Sequence, residues 1–212
     1  MTDVPLIDRW LETVPDSRTT GEDLIARWSE PQRRYHTSEH LSRMLSVVDD
    51  HADAADDATA VRLAAWFHDI VYDPRRTDNE ILSASFAATT LTDLGRDHEE
   101  IAEVVRLIWL TTTHNVEAGD RNGALVCDAD LAILATDPDE YDAYARSVRQ
   151  EYAHVPDDAF RAGRIAVLGK LLDLPQLYHV PALREAWEAR ARAAVTAEIN
   201  ALRAEAVEGP TP

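Results

Sequence analysis

The chain has 212 residues, 45% hydrophobic and 28% charged; this is a globular composition, long enough to bury a core without disulfides or a structural metal, and it excludes wholesale disorder. Its 39 acidic against 21 basic residues give a formal net charge of -18, which repels phosphate backbones and anionic lipid and argues against a nucleic-acid polymer or a membrane as partner. The single cysteine, Cys127, allows no intramolecular disulfide, the N-terminus lacks a basic region followed by an apolar stretch, and uncharged runs such as 107–116 are about half of the ~20 residues a membrane span needs, so a cytoplasmic protein is expected.

Only 7 glycines occur, alternating β-branched runs are missing, and Ala, Leu, Arg and Glu dominate, a pattern that predicts an all-α chain of roughly ten helices. In chain order, helices are predicted over 21–29, closed by Pro31; after Thr37 or Ser38, whose hydroxyls suit an N-cap; and over 58–69, 79–94 and 99–112. Asp97-His98-Glu99-Glu100 reads as a capping-box-like start, and Asp137-Pro138-Asp139-Glu140 places proline at the first helical position. Pro156 and Pro181 open two more. The last runs to about residue 206, with Leu183, Trp187, Ala194 and Leu202 in a narrow apolar stripe suited either to intramolecular packing or to a homodimer. Residues 207–212 read as a frayed tail. No repeat or linker divides the chain, so one domain is expected over 1–212, with a core over about 25–180 and the last helix over 181–206.

The informative segment is Ala64-Ala65-Trp66-Phe67-His68-Asp69-Ile70-Val71-Tyr72, where a histidine and an acid sit in otherwise apolar and aromatic surroundings. An unpaired buried carboxylate costs several kcal/mol or becomes protonated, so Asp69 must be paired, hydrogen-bonded or bound to metal. The His-Asp dipeptide alone is what chance would produce in so aspartate-rich a chain, and its meaning comes from its company. His36 lies in Arg33-Arg34-Tyr35-His36-Thr37-Ser38-Glu39-His40, just before a predicted helix, and Asp128-Ala129-Asp130 lies between two apolar runs. His36, His68, Asp69 and one of these aspartates make a mixed nitrogen and oxygen donor set suited to Mn, Fe, Co, Ni or Zn. Adjacent helical residues point about 100° apart, so His68 and Asp69 can share an ion only near their helix's end, where the macrodipole also favours a cation.

This order of His36, His68-Asp69 and Asp130 in an all-helical chain resembles the HD superfamily of metal-dependent phosphohydrolases. Tyr35-His36-Thr37-Ser38-Glu39-His40-Leu41, Phe67-His68-Asp69-Ile70-Val71-Tyr72-Asp73-Pro74, Asp78-Asn79-Glu80, Asp128-Ala129-Asp130-Leu131 and Glu151-Tyr152-Ala153-His154-Val155-Pro156 resemble a subgroup described as predicted metal-dependent HD phosphohydrolases. The resemblance covers roughly residues 25–180. It implies a single-domain HD-type helical bundle and one divalent ion (Mn, Fe, Co, Ni, Zn or Mg) held by His36, His68, Asp69 and Asp130. It also implies hydrolysis of a phosphate ester or anhydride of a small metabolite, a nucleotide among the candidates, by a metal-activated water. Asp130 is preferred to Asp128 because Leu131 follows it, which leaves Asp128 a supporting group.

The same resemblance assigns proton transfer to Asp73, since Tyr72 occupies one of two positions that are acidic in some members, and to His114. His114 and Glu80 are also where a weak second metal would bind. His40, four residues after His36, could share the metal, but a place on the helix surface or in a supporting role is expected ahead of that. The phosphate needs cations, and the candidates are Arg33 and Arg34 beside the first histidine, with Arg146, Arg149, Arg161 and Arg164 in two i, i+3 pairs. Tyr152 is placed to stack on a base or bind a sugar, and Glu80 completes the substrate set. Two alternatives stand beside hydrolysis. A di-iron oxygenase on the HD scaffold is disfavoured by a missing histidine near Glu80, and a non-catalytic nucleotide- or metal-binding protein is favoured by Tyr72.

Overall fold

A computed structural model describes residues 4–208. Regular structure among them is entirely helical: α1 (Leu6–Thr13), α2 (Arg18–Trp28), α3 (Ser38–Asp50), α4 (Ala58–Phe67), α5 (Asn79–Asp93), α6 (His98–Leu110), α7 (Arg121–Asp130), α8 (Pro138–Glu151), α9 (Asp157–Asp173) and α10 (Pro181–Glu208), with short 3-10 segments at Ala52–Ala54 and Leu131–Ala135. The protein is all-α, as its composition predicts. Among the described residues no helix is long and apolar enough to cross a membrane.

Helix starts follow local chemistry. Thr37 accepts from the Glu39 amide at 3.3 Å, Asp57 from Thr59 and Ala60 at 3.0 Å each, Asp97 from Glu99 at 2.8 Å and Asp137 from Glu140 at 3.1 Å. Each such cap contributes about 1 kcal/mol by satisfying amides that the helix itself leaves without partners. Helix α1 has no counterpart among the predicted elements. It is anchored by Trp10, fully buried, whose indole donates to the Ser17 carbonyl at 3.0 Å. Gly21 of α2 lies so close beneath that ring that a Cβ would overlap it.

The helices form two compact units, one ending at Asp130 and the other starting at Leu131, a boundary inside the segment expected to be one core. In the first unit, α4 is buried at Ala60, Val61, Leu63, Ala64, Ala65, Trp66 and Phe67. A helix this apolar around its circumference belongs inside, and α4 accordingly packs against α1, α3, α5, α6 and α7. Its C-terminus is therefore interior, where carbonyls without helical partners need donors. Trp28 supplies one to Trp66 O at 3.0 Å, and Arg33 supplies two more, to Asp69 O at 2.9 Å and Ile70 O at 3.1 Å.

In the second unit, α10 packs on α9 and on the 3-10 segment. The buried line of α10 is Leu183, Ala191, Val195 and Ile199, whereas Trp187, Ala194 and Leu202 of the expected stripe are half-buried. Glu198 accepts from Tyr141 Oη at 2.7 Å and from Arg164 Nε at 2.8 Å, joining α8, α9 and α10. Helix α10 extends beyond residue 206 to Glu208, and the rest of the expected tail, 209–212, lies outside the described residues.

Candidate metal centre

Three helices of the first unit bring the titratable residues together. His40 is in the first turn of α3, His68 follows α4 directly, and Asp130 is the last residue of α7. His40 and His68 are buried and Asp130 is half-buried. Their donor atoms form a triangle: His40 Nε2 to His68 Nε2 is 3.3 Å, His40 Nε2 to Asp130 Oδ1 is 3.3 Å, and His68 Nε2 to Asp130 Oδ1 is 3.7 Å. Ligands about 2.1 Å from a tetrahedral ion stand ~3.4 Å apart, so this triangle has the size of one face of a coordination shell. The C-terminal ends of α4 and α7 converge here, and both place the negative end of a helix dipole beside the triangle.

The rings are held from behind. His68 Nδ1 is 3.0 Å from the Ala65 carbonyl and His40 Nδ1 is 3.1 Å from the Tyr35 hydroxyl, so each ring turns Nε2 toward the other. Fixing one ring nitrogen by an outer hydrogen bond while the other faces an ion is the usual support of a metal-binding histidine. Around the triangle lie three more groups. Asp69 Oδ2 is 3.3 Å from His68 Nε2 and 3.8 Å from His36 Nε2, and His114 Nε2 meets the second oxygen of Asp130 at 2.9 Å. His114 holds a left-handed backbone at φ 53°, a conformation that costs a non-glycine residue on the order of 1 kcal/mol and that concentrates at functional sites.

Electrostatics follow from this mixture. For His68, burial pulls the pKa down, but Asp69, Asp130 and the Ala65 carbonyl outweigh it and lift it to about 9. For His40, burial prevails over Asp130 and lowers the pKa, so this imidazole is neutral. Burial pushes both carboxylates upward, yet the histidines prevail and hold Asp69 below and Asp130 well below the usual carboxylate range. The site thus pairs two ionised carboxylates with one imidazolium and one neutral ring, and a cation can take the place of the His68 proton.

Of the expected ligands, His68, Asp69 and Asp130 come together, and Asp128, fully buried, lies outside the triangle. The histidine at its third corner is His40. His36 instead stacks on Tyr72, with ring centroids 4.3 Å apart and planes at 29°, and reaches the cluster through Asp69. The available signal for His40 was its position one turn into a helix, with Tyr35 five residues earlier.

The expected anion-binding arginines are mostly committed elsewhere. Arg33 is the clearest case. It is 3% exposed, and its guanidinium donates to the carbonyls of His36, Asp69 and Ile70, tying the two histidine-bearing segments together. Arg34 is exposed and donates to the carbonyls of Pro31 and Arg33. In the second unit, Arg149 pairs with Asp157 and donates to the carbonyls of Tyr152 and Val155, while Arg164 pairs with Glu198. Tyr152 caps α8 and lies near His154 and Phe160. Asp73 uses its carboxylate to accept the Arg75 amide at 2.9 Å, and its backbone pairs with Asn79. Glu80 is half-buried in the first turn of α5.

Fold and site together define an all-α protein with a buried His/His/Asp cluster able to hold a single divalent metal ion. Comparison with protein-family models, with curated proteins and with solved structures returns no match.

Proposed function

We propose that the chain is a metal-dependent phosphohydrolase of the HD type, acting on a phosphate ester or anhydride of a small metabolite, nucleotides among the candidates. The observation that carries this reading is the triangle of His40, His68 and Asp130, contributed by α3, the end of α4 and the end of α7 in the chain order of the HD resemblance. In this reading His40, His68 and Asp130 hold the ion and Asp69 lies beside it, with His36 at the edge in place of the ligand role expected from the sequence. The ion, when bound, supplies Lewis acidity toward a phosphoryl oxygen and lowers the pKa of a water.

The chain's own residues do the rest. His114, hydrogen-bonded to Asp130 and at the edge of the cluster, is the proposed proton-transfer group. Asp73 stands behind it, because its carboxylate already closes a turn. Arg34 and His36 are the proposed anion contacts on the first unit, since Arg33 is enclosed. Arg149, Arg164, Tyr152 and Glu80 remain proposals of the sequence resemblance.

Metal analysis of protein purified without chelator, followed by turnover of a phosphate-compound panel with Mn, Co, Ni and Mg, tests the reading. One ion per chain and metal-dependent phosphate release are expected. A chain that binds no divalent ion sinks it. Metal binding without turnover would favour a non-catalytic binding protein, a second reading supported by the internal engagement of Arg33, Arg149 and Arg164. A di-iron oxidative centre draws support from the number of imidazoles, four, gathered around Asp69 and Asp130. Two irons per chain and oxygen uptake would select it.

A further inference from the structure

We infer that Tyr35 is a positioning residue of the centre: its hydroxyl keeps His40 Nδ1 hydrogen-bonded in either ring tautomer, and thereby presents Nε2 to the ion. This inference rests on the metal-binding reading of His40, His68 and Asp130.

The two imidazoles face the triangle through the same atom but are supported differently. His68 Nδ1 lies 3.0 Å from the Ala65 carbonyl, an oxygen that only accepts, so Nδ1 carries a proton and Nε2 is the nitrogen left to face the ion. His40 Nδ1 lies 3.1 Å from the Tyr35 hydroxyl, which can either accept or donate. His40 Nε2 also lies 3.3 Å from Asp130 Oδ1. There Nε2–H donates to the carboxylate while Tyr35 donates to Nδ1. Presenting the Nε2 lone pair to a cation requires the other tautomer, with the ring proton on Nδ1 and Tyr35 accepting from it. The ring keeps one proton in both states, and the hydroxyl completes a hydrogen bond in both by rotating.

Burial makes this support matter. His40 is 3% exposed, so water is poorly placed to replace the Tyr35 hydroxyl, and a buried N–H left without an acceptor opposes the metal-binding tautomer. Tyr35 is itself held in place for this contact: its ring lies 4.9 Å from that of His40 and 4.8 Å from that of His36, centroid to centroid. A phenylalanine keeps these ring contacts and removes only the hydroxyl.

The test uses the full-length chain and Zn²⁺ as probe, with affinity measured by chelator competition for the native sequence and Tyr35→Phe, and ring tautomers read by ¹⁵N-histidine NMR of the Zn²⁺-loaded protein. Tyr35→Phe is expected to bind Zn²⁺ about 10- to 100-fold more weakly, the range typical for loss of an outer hydrogen bond to a ligand histidine. Its metal-free circular dichroism should match that of the native sequence. In the loaded native protein the His40 resonances should show a proton on Nδ1 and coordination through Nε2. Affinities within twofold of each other, or coordination of His40 through Nδ1, overturn the inference while leaving the metal centre standing. If native protein binds no Zn²⁺, the metal-centre reading and this inference fall together. Should Tyr35→Phe fail to fold, the native spectrum alone decides.

Discussion

The Nε2 atoms of His40 and His68 stand 3.3 Å apart in a buried site, although 28 residues separate them in the chain. Two imidazole edges meeting at that distance beside an Asp130 oxygen form a concentrated set of donors, and the outer bonds to Tyr35 and Ala65 hold both rings in that attitude. His68 is protonated near neutrality, so its Nε2–H faces Asp69 while the Nε2–H of His40 faces Asp130, and the flanking carboxylates hold the two rings together.

Removing a corner of the triangle should remove the ion. His40→Ala, His68→Ala and Asp130→Ala are each expected to reduce bound metal from about one per chain to near zero with helical content retained. His36→Ala should keep most of its metal, because His36 supplies no corner of the triangle and meets the cluster through Asp69 and the ring of His40. Elemental analysis of the four variants checks this, and loss of metal in His36→Ala with retention in His40→Ala would reverse the assignment.

The pKa directions set a pH dependence with a definite sign. His68 is raised from 6.5 to about 9, so its contribution to stability is fully present below 6.5 and is lost as pH rises through 9. Asp69 and Asp130 are depressed below 3.8, so theirs is present above that value and is lost as pH falls. His40 is depressed below 6.5, so it destabilises the fold as pH falls below that value, and chelator-treated protein should therefore melt highest near pH 6.5, lower in acid and progressively lower toward pH 9. Metal binding requires His68 to lose its proton, so affinity should increase with pH up to about 9. Thermal melts across that range, with and without chelator, measure both effects.

Arg33 should prove structural. Arg33→Ala leaves the carbonyls of His36, Asp69 and Ile70 without their donor, and a loss of about 2–4 kcal/mol is expected in the metal-free chain. Arg33→Lys should recover only part of it, since an ammonium lacks the planar fork that serves three carbonyls. Chemical denaturation of the chelator-treated variants is the measurement, and unchanged stability in Arg33→Ala would return this guanidinium to the list of anion contacts.

Packing of α1 on α2 offers a check remote from the donor triangle. A Cβ at residue 21 overlaps Trp10, so Gly21→Ala should destabilise by about 1–3 kcal/mol. The variant, where folded, should still bind one ion per chain.

Much of the fold is local chemistry and is readable from the chain. Thr37, Asp57, Asp97 and Asp137 each accept amides at a helix start, and Pro138 sits at the first helical position. The apolar run ending in Trp66-Phe67 marks the innermost helix of the first unit, which explains why His68 and Asp69 emerge in the interior. Helix α1 escaped notice because its reason for folding is distant in kind: a single buried indole seated over Gly21. On α10 the expected stripe and the buried line share Leu183 but part beyond it, to Trp187, Ala194 and Leu202 in the one and Ala191, Val195 and Ile199 in the other, because the alanines along this helix suit either face.

Residue types and their order determine that this is an acidic, all-helical chain with histidines and carboxylates available for metal chemistry. Whether His36 or His40 forms the corner was a tertiary decision. The two are four residues apart, but α3 begins at Ser38, so only His40 is fixed to the helix that brings it against His68, while His36 is drawn onto Tyr72. The fate of the arginines was decided the same way. A guanidinium in a sequence carries a charge, but its use depends on which carbonyls the fold leaves without donors, and the buried end of α4 claimed Arg33.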